Sequence, residues 1–140
     1  MPITMLSPKD AQRAINEWTT AAETLLQEVQ AWITEDKATE WQISFSSADV
    51  TEESLGNYST RVMEITAAEG RLILEPVGLD VIGAKGRIDL YAWPSLYRVM
   101  LLRNSSEESW TIRTESGIDW PQPWGKTSFL TVTEQLMSAP

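Results

Sequence analysis

Apolar residues recur every three or four positions in the first quarter of the chain and every second position after it. Ala11, Ile15, Trp18, Ala22, Leu25, Val29 and Trp32 step by four and three in turn, and Ala14, Ala21, Leu26 and Ile33 widen the stripe. That spacing lines one face of a helix. Ser7-Pro8-Lys9-Asp10 supplies its start: a hydroxyl cap, proline at the first helical position, and an acid three residues after the cap. A helix over residues 7–35 would run roughly 40 Å at 1.5 Å per residue. A helix of that length must lie across a sheet, pair with a second copy of itself, or do both.

From Glu40 the period becomes two. Residues 41–45 alternate, and the polar stretch 46–57 reads as a loop or a short helical turn. Residues 58–66 and 71–77 read as strands joined by Ala67-Ala68-Glu69-Gly70, short enough for an antiparallel connection. Gly78, Gly83 and Gly86 read as loop glycines. The strand expected over 87–93 sets Ile88, Leu90 and Ala92 on a buried side and Arg87, Asp89 and Tyr91 on a solvated one.

Pro94 and Ser95 turn the chain into 96–103, apolar on both sides and so read as a central strand. A further strand is expected over 110–115. Residues 126–137 place Phe129, Val132 and Leu136 at helical spacing, although Thr127, Thr131, Val132 and Thr133 also suit a strand. A short helix is the preferred reading. These elements predict one α+β domain over residues 1–140, with a long N-terminal helix packed on a five- to six-stranded, mainly antiparallel sheet and a short C-terminal helix. In element order it resembles cystatin-like and NTF2-like domains, where a curved sheet wraps a long helix. Such folds host unrelated functions, so the resemblance implies no activity.

Composition narrows the chemistry. The chain of 140 residues has 20 acidic and 11 basic residues, a formal charge of −9, which repels nucleic acid and anionic lipid surfaces. No apolar run reaches the 18 or so residues of a membrane span, and the first residues lack the long apolar stretch of a secretory signal. A cytoplasmic location is the expectation. Neither histidine nor cysteine occurs. Imidazole acid-base chemistry, His-assisted nucleophiles and the usual zinc ligands are thereby excluded, and neither metal nor cofactor is expected.

Three patterns resemble catalytic or nucleotide sites and fall short of them. Gly125-Lys126-Thr127 resembles the end of a P-loop, yet Trp120 stands where that motif needs its first glycine, and Pro121 and Pro123 remove N–H donors. Gly86-Arg87-Ile88-Asp89-Leu90 resembles the first acidic strand of PD-(D/E)xK nucleases. Such nucleases need an acid and a lysine on the next strand, where residues 96–103 offer only Arg98 and Arg103 as charged groups. A carboxylate pair for glycoside hydrolysis among Glu64, Glu75, Asp80, Asp89, Glu115 and Asp119 needs a separation in space that sequence does not fix.

Candidate binding residues remain. Arg98 interrupts an apolar strand and, if it points inward, needs a carboxylate or several carbonyls as partners; Tyr91 stands on the polar side of the preceding strand. Of the seven tryptophans, Trp18, Trp32, Trp41, Trp93 and Trp110 are assigned to core packing. Trp120 and Trp124, with Asp119 beside them, lie where Pro121 and Pro123 stiffen the backbone, which suits either a lid on the core or a rigid recognition anchor. The leading expectation is a non-catalytic cytoplasmic interaction domain, adaptor-, chaperone- or immunity-like. It would bind a protein partner, a basic one being compatible with the charge, and form a homodimer. The alternative is a small-ligand or saccharide-binding domain with a Trp/Tyr-lined pocket between helix and sheet.

Overall fold

Ser7 starts the first helix as its sequence predicts, its hydroxyl accepting the Asp10 N–H at 3.1 Å, so that α1 runs Pro8–Asp36. The structure, a computed structural model, describes residues 7–37, 40–68, 70–79, 86–95, 97–104, 109–114 and 122–138. After α1 come β1 (Gln42–Glu52), β2 (Gly56–Ala67), β3 (Gly70–Gly78), β4 (Arg87–Trp93), β5 (Val99–Arg103), β6 (Trp110–Thr114), β7 (Gln122–Pro123) and α2 (Lys126–Ser138). All seven strands form one antiparallel sheet in chain order.

The architecture is the expected α+β arrangement with one strand more than the sequence suggests. The extra strand is β7, whose two residues include a proline and leave no alternation to read. A second difference lies in residues 46–57, which are not a loop or helical turn. They are the outer half of a β1–β2 hairpin, closed by a turn in which the Leu55 N–H donates to the Glu52 carbonyl. Gly56, the first residue of β2 and the partner of Glu52, follows with φ +86°, a left-handed backbone that glycine adopts without steric cost. β2 pairs with β3 only over Met63–Ala67, so this outer half projects as a two-stranded arm. The buried set changes parity between Phe45 and Ala48, and again between Thr60 and Met63, while the pairing register runs unbroken. The arm therefore twists, and no single alternation describes it.

Both helices cover the same sheet face. Ala11, Ile15, Trp18, Ala22, Leu25, Leu26, Val29 and Ile33 are buried on α1, and Phe129, Thr133 and Leu136 on α2. Trp18 to Ile33, with Phe129 and Leu136, pack against Met63, Ile65, Leu72, Leu74, Ile88, Leu90, Val99, Leu101 and Ile112, while Ala11 and Ile15 form a smaller cluster with Leu55. The Trp32 and Phe129 rings stand 5.8 Å apart, and the Lys126 ammonium reaches Glu35 at 2.9 Å and Asp36 at 3.2 Å. The long apolar stripe is thus consumed within its own chain and leaves no reason of its own for helix pairing. Gly86 is more than a loop glycine. A Cβ there would enter the Trp18 ring, and its φ of +141° disfavours any other residue.

The expectation for β4 needs correction. Both of its sides are closed, since Asp89 and Tyr91 are only 3% and 8% exposed. The cause is a layer of paired charges over the face that the helices leave uncovered. No described helix is long and apolar enough to cross a membrane.

Candidate functional site

The register of β3, β4 and β5 assembles the site. Glu75 lies opposite Asp89, Ile73 opposite Tyr91 and Arg71 opposite Trp93, all on the face away from the helices. Met100 and Leu102 continue this face opposite Asp89 and Arg87. Two acids side by side repel unless a cation stands between them. Arg98, just before β5, fills that place, its Nη1 lying 3.1 Å from Asp89 Oδ2 and 3.4 Å from Glu75 Oε2. Arg87 grips Asp89 from its own strand with Nε at 2.7 Å and Nη2 at 3.2 Å. Both Asp89 oxygens are therefore occupied, which makes a nearly buried carboxylate tolerable.

Tyr91 completes the cluster. Its ring lies under the Arg98 guanidinium, 4.0 Å from centroid to carbon, and its hydroxyl donates to Glu75 Oε2 at 3.4 Å. Burial and the neighbouring Glu75 charge raise the Tyr91 pKa, while Arg98 pulls it back. Burial alone would lower Arg98, but its hydrogen bond to Asp89, with Tyr91 and Glu75, outweighs that and raises it. The guanidinium is fixed in charge and direction by three neighbours, Asp89, Glu75 and Tyr91.

An exposed aromatic side chain, Trp93, shares this face with the charged centre. Trp93 is 58% exposed, Tyr97 43% and Val77 41%, and among the described residues these are the large hydrophobics most open to solvent. Arg71 pairs with Glu64 at 2.8 Å on one flank, and Arg113 stands exposed on the other. The face carries four arginines against three acids on a chain of net charge −9. Among the described residues no helix covers it.

Tyr91 and Arg98 thus meet in one cluster, while Trp124 lies on the far side of the sheet. Its ring packs 5.7 Å from both Trp32 and Phe129, and its backbone N–H donates to the Trp110 carbonyl at 3.0 Å. Asp119 and Trp120 lie outside the described residues. Trp93 corrects its assignment to the core. The signal was present in the alternation of β4, which puts Trp93 on the side of Arg87, Asp89 and Tyr91 and not on that of Ile88 and Leu90.

Two clefts flank α1. One, about 460 Å³, separates it from the hairpin arm and is lined mainly by hydroxyls, with Arg61 paired to Glu23 at 3.0 Å. The other, about 680 Å³, lies beside β6 and includes Asn16, Glu17, Glu28, Arg103, Trp110 and Trp124. Comparison with protein-family models, curated proteins and solved structures finds no match for the chain.

Proposed function

We propose that the protein is a non-catalytic interaction domain that docks a protein partner on the open face of its sheet. The carrying observation is exposed Trp93 on the same face as a pre-paired Tyr91–Arg98–Asp89–Glu75 centre. Aromatic side chains and arginine are the commonest anchors of protein interfaces, and anchors already held in place lose little freedom on binding. The acids of the cluster support a binding role over a catalytic one, because Asp89 and Glu75 are engaged by arginine and tyrosine. A complementary partner offers an apolar patch with acidic groups at its centre and basic groups at its rim, where the surrounding negative charge acts. Such a role suits a cytoplasmic protein.

The test is affinity capture from the native cell with the parent and with Trp93→Ala/Tyr97→Ala, both checked for equal folding by circular dichroism. A partner retained by the parent and lost by the variant is expected. Identical retention by both, or none by the parent, overturns the reading.

The cleft beside β6 favours a second reading. Its volume falls in the range of ligand sites, and two tryptophans with Asn16, Glu17 and Arg103 suit the apolar and hydroxyl faces of a saccharide. Saturable tryptophan-fluorescence change with neutral oligosaccharides, abolished by Arg103→Ala, would support it; no change with a broad panel would remove it.

A further inference from the structure

The two edges of the sheet are built differently. At one edge stands β7, two residues long and ending in Pro123, followed directly by α2. A short strand with proline and a helix beside it are common devices for stopping strand addition. At the other edge stands β1, eleven residues without lysine, arginine or proline, paired to β2 with no bulge. No described strand pairs with its outer side.

We infer that β1 is a strand-pairing surface for a second copy of this chain, joining two sheets antiparallel across a two-fold axis. The register that pairs all eleven residues centres on Ser47. It sets Gln42 opposite Glu52 of the second copy, Ile43 opposite Thr51, Ser44 opposite Val50, Phe45 opposite Asp49 and Ser46 opposite Ala48. No acid meets an acid, and small side chains occupy the centre of the joint. The acids of the strand are also engaged within their own chain. Asp49 accepts from the Ser59 hydroxyl at 3.1 Å, and Glu52 accepts from Tyr58 and from the Leu79 N–H. The net charge of −9 opposes association at long range, a repulsion screened beyond about 8 Å at physiological salt. With the axis perpendicular to the sheet, both open faces lie on the same side of one continuous sheet. The dimer itself needs nothing from the docking role proposed above.

Sedimentation of the parent at micromolar concentration should show a species of twice the 15.8 kDa chain mass. Ser46→Lys with Ala48→Lys sets lysine opposite lysine across the joint and should weaken the dimer at least about tenfold, with unchanged circular dichroism. The chain has no cysteine, so Ser47→Cys introduces a single thiol beside its symmetry mate. Mild oxidation should give a disulfide-linked dimer, whereas Glu134→Cys on the exposed side of α2 should not. This measurement decides the matter even if the double lysine variant fails to fold. A monomeric parent, a dimer that survives both lysines, or a dimer abolished by Trp93→Ala/Tyr97→Ala would overturn the inference; the last result would place self-association on the open face.

Discussion

The same strands carry two faces that are closed by different means. On the helix side Met63, Ile65, Leu72, Leu74, Ile88, Leu90 and Leu101 are fully buried, and side-chain shape alone holds them. On the other side Asp89 is almost as inaccessible, yet it is closed by Arg87, Arg98, Glu75 and Tyr91. Burial on the first face follows from hydropathy. On the second it follows from pairing, so polar residues alone do not mark a face as solvated. The difference also separates roles, because a filled apolar face has nothing left to offer, whereas charges fixed on the same face as an exposed tryptophan can still be recognised.

The largest test of that contrast lies on the helix side. Phe129 is fully buried and touches both Trp32 and Trp124. Phe129→Ala should cost about 3–5 kcal/mol in chemical unfolding, the range for deleting a core aromatic. A loss under about 1 kcal/mol, the range of surface substitutions, would show that α2 is not held on the sheet as described.

On the open face the cost should depend on charge more than on volume. Asp89→Ala removes the acid that Arg87 and Arg98 share, leaving only Glu75 to Arg98, and should cost about 2 kcal/mol, less than a fully buried pair because both arginines reach water. Asp89→Asn keeps the shape and removes the charge. If Asn is as stable as the parent, packing holds this face and the contrast with the helix side fails.

Much of the helix side was legible in the sequence, because the cap at Ser7, the stripe of α1 and the alternation of β3 and β4 each repeat a single period. The outer hairpin was not. Residues 46–52 and 56–62 project past β3 and twist, so their burial follows no fixed parity and their polarity imitates a loop. Of the candidate site residues, Arg98 and Tyr91 were recognisable as an interrupting charge and an outward tyrosine. Their meeting with Glu75 depends on pairing between β3 and β4 that no local pattern states. The exposure of Trp93 was overridden by the general preference of tryptophan for cores, although its strand parity pointed outward.

Two tyrosines, one on each side of this division, allow a smaller test. Tyr58, on the hairpin arm, and Tyr91, on the open face, both donate to a glutamate, and burial raises both above the ordinary value near 10. Arg98 offsets the rise at Tyr91; at Tyr58 the Glu52 hydrogen bond and charge add to burial. Above pH 10 the unfolded chain releases these protons while the folded chain keeps them, so stability falls as pH rises. Tyr58→Phe should remove more of that alkaline decline than Tyr91→Phe, read as unfolding midpoints at pH 9 and pH 11. Equal slopes in the two variants would mean that Arg98 does not offset the Tyr91 shift.

The smallest effect on stability should come from Trp93, the largest residue on the open face. It is 58% exposed and forms the end pair of β4 with β3, opposite Arg71. Removal strips little buried area, so Trp93→Ala should change unfolding free energy by no more than about 0.5 kcal/mol, the usual range for surface substitutions. A tryptophan that contributes so little to the fold yet stays beside a fixed Arg98–Tyr91 pair has its apolar area free for another molecule. If the docking face is correct, the same substitution weakens partner binding by about 2 kcal/mol or more, the size of an interface hot spot. The measurement is paired: denaturant midpoints for stability and titration of the captured partner for affinity. A loss of 2 kcal/mol in stability with no change in affinity would reverse the assignment and return Trp93 to the core.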